Sequence, residues 1–248
     1  MKASLLGQVV SSAIDFVYPP SCGLCQGEIE TVDALHPLLC EECFRKLDPG
    51  DDRGCPACGA KLGPFAPDRP ECVHCRNERY AFTEVYSLGN YGDALQQICI
   101  SCKSRSSHPL TLQMADLLSR IGNETLASWD VDLVACVPHH WRKRLWDRYH
   151  CSAELAERVA GNLGKPFARH LLTKTRHTPD QARLAPTQRR KNVKNSFAVS
   201  SRHLVRDRRI LLVDDVMTTG STADACTRAL KKAGAEAIFV SVLARGLG

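Results

Sequence analysis

From Tyr80 onward the apolar positions fall into two alternating patterns, short continuous runs and longer stretches with helical spacing; before it, only the opening stretch has such a pattern. The runs near Glu84–Leu88, Val131–Val137, Ile210–Val213 and Ala237–Leu243 read as strands, and Ile210–Val213 is apolar enough for a buried parallel strand. Between them, helical periodicity covers Ala94–Ser101, Pro109–Ile121, Ser152–Leu163 and Thr222–Ala233; the last places Ala223, Cys226, Leu230 and Ala233 on one side. Gly164 with Pro166, and Gly234, supply stop signals for two of these helices. Strands alternating with helices predict an α/β fold, a parallel sheet flanked by helices, over residues 80–248. Residues 1–79 are expected to form a separate small unit. It opens with an apolar pattern at Leu5–Val17, broken by Gln8, Ser11, Ser12 and Asp15, which reads as an amphipathic helix and not as a signal peptide.

Ligands of open parallel sheets gather outside the carboxyl ends of the strands, which directs attention to the exits after Val213 and Val137. After Val213 come Asp214 and Asp215, then Thr218-Thr219-Gly220-Ser221-Thr222 at the start of a helix. Backbone N–H groups and the helix dipole favour a phosphate there, the hydroxyls add donors, and Gly220 lets the backbone approach closely. A phosphate cradle alone gives no reason for two carboxylates beside an anion. Vicinal hydroxyls or hydrated Mg²⁺ do, and ribose 5-phosphate presents both a diol and a phosphate. The plain structural reading, an Asp-Asp turn and a hydroxyl-rich helix cap, accounts for the loop but not for the whole run from Ile210 to Thr222.

The cysteines mark the first unit. Eight of thirteen form C-x-x-C pairs before residue 76: Cys22/Cys25, Cys40/Cys43, Cys55/Cys58 and Cys72/Cys75. The spacing predicts two Cys₄ sites for two structural zinc ions, with iron the alternative metal; grouping in sequence order is expected, with interleaved pairs the other arrangement the spacing leaves open. A segment so short and so rich in Gly, Pro and Cys buries little core, so metal binding would supply much of its folding energy. Gly59, directly after Cys58, suits a knuckle with positive φ. Cys99 and Cys102 share one face of a helix and read as core, as do Cys136 and Cys226.

Charge adds less than it first suggests. The formal net charge is +6, but eight zinc-bound thiolates and two Zn²⁺ would lower it to +2, so global charge is weak evidence for a nucleic-acid partner. No apolar run approaches a membrane span. Thiolate metal sites and the absence of a secretory pattern point to the reducing cytoplasm.

The segment from Ile210 to Thr222 resembles the 5-phosphoribosyl-1-pyrophosphate (PRPP) motif of type I phosphoribosyltransferases. With the four C-x-x-C pairs, Lys103, and the pattern Thr175-Arg176, Pro179, Gln181, Leu184, Arg189-Arg190 and Asn192-Val193, the chain resembles the competence protein F (ComF) family over nearly its whole length. That resemblance implies a type I phosphoribosyltransferase-like sheet behind a double zinc ribbon, with PRPP and Mg²⁺ bound at Asp214 and Asp215. It implies a pyrophosphate site at Arg142, Arg144 and Arg148 after Val137, and a mobile loop over 172–195 carrying Arg176, Gln181, Arg189, Arg190 and Asn192. It also implies a link to DNA uptake in natural competence, beside a helicase or single-stranded DNA. Where the family reads an Asn-Gln pair, this chain has His150-Cys151; Arg148 and a helix N-terminus near Cys151 would favour a lowered thiol pKa. Two classes stay open: a transferase passing ribose 5-phosphate to an acceptor, and a non-catalytic protein binding single-stranded DNA or a partner on the same scaffold. The acceptor and the oligomeric state are not legible.

Overall fold

The computed structural model describes residues 21–29, 33, 36–47, 54–62, 72–138, 149–176, 193 and 195–247. In chain order its elements begin with α1 (Glu41–Leu47), β1 (Glu84–Asn90), α2 (Asp93–Ser101), α3 (His108–Ile121), α4 (Asn123–Ser128) and β2 (Leu133–Cys136). There follow α5 (Cys151–Leu163), the short strands β3 (Leu172–Lys174) and β4 (Phe197–Val199), β5 (Arg209–Met217), α6 (Ser221–Lys232) and β6 (Ala237–Arg245). The Leu5–Val17 pattern lies outside the described residues. No described helix is long and apolar enough to cross a membrane.

Four strands form one parallel sheet in the order β1-β6-β5-β2. Alternation along β5 divides the core: Leu211 and Val213 point to the face covered by α2, α3 and α5, and Ile210 and Leu212 to the face covered by α6 and the β3–β4 hairpin. All four side chains are fully buried, each stabilising the fold by roughly 1.5–3 kcal/mol over an exposed position. Gly164 stops α5 at φ +63°, and Gly234, at φ +104°, follows α6, as the stop signals require.

Both sheet edges are covered, which removes open rows of backbone donors and acceptors. On the β2 side, Val134 N–H donates to Pro166 O at 2.9 Å and Val134 O accepts from Ala168 N–H at 2.9 Å. On the β1 side the cover is the second cysteine unit: Val85 N–H donates to Pro56 O at 2.9 Å, Lys61 N–H to Asn90 Oδ1 at 3.0 Å, and Ser87 Oγ to Gly59 O. Gly59 adopts φ +73° and sits against Val85, where a Cβ would come to 3.3 Å.

The structure changes several expected boundaries. β5 does not end at Val213 but pairs with β6 as far as Met217↔Arg245, so Asp214 and Asp215 lie inside the strand and α6 starts at Ser221. β6 is apolar through Ala244 except for the buried Ser241, and it sustains the ladder beside the charged pair. The 172–195 connection is not all loop: Leu172–Lys174 pairs antiparallel with Phe197–Val199. Strands of three residues are too short to show a period, which also hid α4.

Candidate functional site

β5 ends where the loop to α6 begins, and the loop's shape is fixed from behind. Gly220 caps α6 at φ +71°, a conformation that favours glycine, and a Cβ there would come within 2.7 Å of the Tyr80 ring. Tyr80 OH donates to Thr219 O at 3.3 Å. Thr219 Oγ1 lies 2.8 Å from Ser221 Oγ, so two hydroxyls are held together at the helix start, while Thr218 stands exposed. Asp224, in the first turn, turns away to accept from Ala81 N–H at 2.7 Å and from Arg228. The twelve-residue α6 thus presents its N-terminal dipole beneath a hydroxyl-lined loop, an arrangement suited to an anion.

The carboxylates stand at the rim of this loop with distinct partners. Asp214 Oδ1 accepts from Ser152 Oγ at 2.8 Å and from Asp215 N–H at 3.0 Å. Loss of water around it, then the neighbouring Asp215 charge, push the Asp214 carboxyl well above its usual range. Asp215 Oδ1 accepts from Val216 N–H at 2.9 Å, and its Oδ2 faces Lys103 Nζ at 3.6 Å. Partial burial works against the Lys103 ammonium, but Asp215, with smaller contributions from Tyr91, Cys99 and Asp214, outweighs it and raises its pKa. The pair can accept from two hydroxyls, and it suits a hard cation that takes one or two carboxylates and keeps its remaining positions for water and phosphate oxygens.

Lys103 and Ser152 reach the pair from α2's end and α5's start, and a buried contact joins those two ends. The Cys102 and Cys151 thiols, 0% and 3% exposed, lie close enough to perturb each other. The Cys102 thiol first, then burial, drives the Cys151 pKa upward, which corrects the expectation of a lowered value. Buried away from solvent, Cys151 is poorly placed to be a nucleophile. Nearby, the Tyr149 hydroxyl, 2.8 Å from Thr111 Oγ1, is pushed up to about 12 by burial. His150 O accepts from Ala153 N–H at 2.9 Å, so the His150-Cys151 pair starts α5.

Among the other expected site residues, Arg176 is exposed just past β3, where Thr175 N–H donates to Ser196 O at 2.9 Å and ties the two ends of the connection together. Arg142, Arg144, Arg148, Gln181, Arg189, Arg190 and Asn192 lie outside the described residues. Beside the loop, on the outer face of α6, a groove of about 720 Å³ is lined by Arg79, Tyr80, Phe197, Arg228 and Lys232, among others.

The eight early cysteines gather as their spacing predicts, Cys22, Cys25, Cys40 and Cys43 in one cluster and Cys55, Cys58, Cys72 and Cys75 in the other, with all sulfurs of a cluster within 4.8 Å. Zinc at about 2.3 Å from four tetrahedral sulfurs would separate them by about 3.8 Å. The observed 3.9 Å for Cys25···Cys40 and 3.7 Å for both Cys55···Cys75 and Cys58···Cys72 fit it. Without a metal the sulfurs of the second cluster are inequivalent: Cys58 and nearby backbone N–H groups lower Cys55 to about 5, while Cys55 raises Cys58 and burial raises Cys75.

Sequence reasoning missed Ser152, Tyr80 and Arg245. Arg245 left a signal: the one charged residue of a largely apolar strand, next to the strand that leads into the loop.

Comparison with known proteins matches residues 13–78 to the double zinc ribbon domain and residues 151–247 to the phosphoribosyl transferase domain. The chain is 29% identical to Competence protein F of Haemophilus influenzae over 84% of its own length and 90% of the relative's. It is 29% identical to DNA utilization protein YhgH of Escherichia coli K12 over 92% of its own length and 98% of that protein's. Among solved structures, the glutamine PRPP amidotransferase of Bacillus subtilis, complexed with ADP and GMP, overlaps 54% of this chain at 23% identity and a TM-score of 0.37; the overlap spans 26% of that larger chain.

Proposed function

We propose, for a chain that is a homologue of competence protein F and joins a double zinc ribbon to a phosphoribosyl transferase domain, that it binds PRPP and transfers its ribose 5-phosphate to an acceptor. One observation carries this reading: Asp214 and Asp215 stand beside the Thr218–Thr222 loop at the N-terminus of α6, so a diol-binding pair and an anion cradle share one cleft. In that cleft the loop takes the 5-phosphate and the two carboxylates orient the ribose hydroxyls. Ser152 and Lys103 hold the carboxylates in place. Asp214 and Asp215 would hold Mg²⁺ with its water shell; the ion supplies charge neutralisation for the departing pyrophosphate. Arg142, Arg144 and Arg148 are proposed as pyrophosphate ligands, and Arg176, Gln181, Arg189, Arg190 and Asn192 as further contacts from the 172–195 connection. The protein would work in the cytoplasm, where thiols remain reduced for zinc, with a ribbon unit to residue 79 and a transferase unit from residue 80.

A second reading, a binding protein for single-stranded DNA, is favoured by the groove on α6, where the exposed Arg79 and Lys232 stand beside the half-buried Tyr80. Cations beside aromatic rings are what a single strand requires. The names of the relatives, competence and DNA utilization, accord with a role near DNA uptake in either reading, and a helicase is proposed as a partner there. Pyrophosphate release and DNA retention, measured on the same preparations, discriminate the two. Transfer predicts release from PRPP with an acceptor panel that includes single-stranded DNA, lost in both Asp214→Ala and Asp215→Ala. Salt-sensitive DNA binding that survives both substitutions, without release in the unaltered chain, supports the second reading and defeats the first.

A further inference from the structure

We infer that the second zinc ribbon sets the geometry of the phosphate loop, with Arg245 and Tyr80 as the positioning residues that connect them. The inference rests on the reading of Thr218–Thr222 as the phosphate site. Arg245 closes β6 and is only 3% exposed. Its Nε donates to Cys58 O at 2.6 Å, and its Nη1 donates to Met217 O at 3.2 Å and to the carbonyls of Thr218 and Gly246. Cys58 belongs to the second sulfur cluster, and Thr218 opens the phosphate loop. One rigid guanidinium therefore spans the metal knuckle and the loop, a fork that a lysine ammonium cannot reproduce.

Tyr80 makes a second, separate bridge. It packs with Cys55, Cys58, Ala60 and Cys75, stacks on Phe82 with ring centroids 4.7 Å apart, and donates from its hydroxyl to Thr219 O at 3.3 Å. Three consecutive carbonyls, of Met217, Thr218 and Thr219, are thus held from the ribbon side. In a trans peptide the next residue's N–H points opposite to the carbonyl. Holding these oxygens therefore turns the N–H groups of Thr218, Thr219 and Gly220 away from the ribbon. If the Cys58 knuckle comes apart, Arg245 loses an acceptor in a buried place where an unsatisfied cation is costly, and the strain falls on the loop carbonyls it also holds. The first ribbon docks elsewhere: Leu38 N–H donates to Gln113 Oε1 at 3.1 Å, and Gly23 packs against Leu110, both on α3.

The test compares full-length chains carrying Cys72→Ser, which damages the second zinc site, Cys25→Ser, which damages the first, Tyr80→Phe and Arg245→Lys. Zinc content is counted, amide resonances of Thr219, Gly220 and Ser221 are followed without ligand, and affinity for PRPP with Mg²⁺ is titrated. The inference predicts that Cys72→Ser and Arg245→Lys move the loop amides and weaken PRPP about tenfold or more, and that Tyr80→Phe does so several-fold with both zinc ions retained. Cys25→Ser loses one zinc yet leaves the loop amides in place. Equal loop shifts from the two cysteine variants, or none from Cys72→Ser and Tyr80→Phe, overturn it. Loop shifts in a chain that binds no PRPP when unaltered would uphold the coupling and defeat the phosphate reading instead.

Discussion

Asp214 and Asp215 are adjacent in sequence, yet their neighbours give them different properties. Asp214 is tied to Ser152 and loses water, whereas Asp215 faces the Lys103 ammonium. A carboxyl whose folded pKa lies above its unfolded value of about 3.9 favours the folded state in its protonated form. Its contribution is complete below about pH 3.9 and is lost as pH rises through the folded pKa, because the native state then binds more protons than the unfolded chain. Asp214→Asn, which cannot ionise, is therefore expected to melt above the unaltered chain at neutral pH, with the gap closing toward pH 4. Melting curves in the absence of PRPP across that range check it, and a variant that melts lower at pH 7 than at pH 4 relative to the parent would contradict it. The gain in stability would come with loss of PRPP binding, as expected where a site holds unfavourable charge for function.

At the scale of elements, β1 would be an open edge without the second ribbon. Its outward N–H at Val85 is satisfied by Pro56 O, and Ser87 and Asn90 hold the backbone of Gly59 and Lys61. Removing zinc with a chelator should therefore raise hydrogen exchange at Val85 by about tenfold or more, while Leu211 and Leu212 in the sheet centre remain protected. Unchanged exchange at Val85 in the zinc-free chain would show that the edge does not depend on the metal. The ribbon clusters, the main strands and most helices were legible in the sequence because each has a strong local signal: a C-x-x-C spacing, a run of Val, Ile and Leu, or a period near 3.6. The extension of β5 to Met217 was not, because charged residues inside a strand read as its end unless the partner strand is known. Ser152 and Lys103 gained their places at the carboxylates only through tertiary packing of α5 and α2, and no local pattern relates Cys102 to Cys151.

Across the whole molecule, the sheet brings three distant parts of the chain to one cleft. β5 and α6 supply the carboxylates and the loop, α2 and α5 supply the side chains that hold those carboxylates, and the second ribbon with β6 braces the loop from behind. A chain folded this way is expected to bind PRPP as one unit, with zinc, sheet and loop all required. Calorimetric titration of PRPP with Mg²⁺ into the zinc-loaded protein, alongside Asp214→Ala and Asp215→Ala, tests this most directly. The account predicts saturable binding to the unaltered chain and affinity about 100-fold weaker or worse in each variant, from the loss of charged hydrogen-bond acceptors; no binding to the unaltered chain, or equal binding in all three proteins, would contradict it.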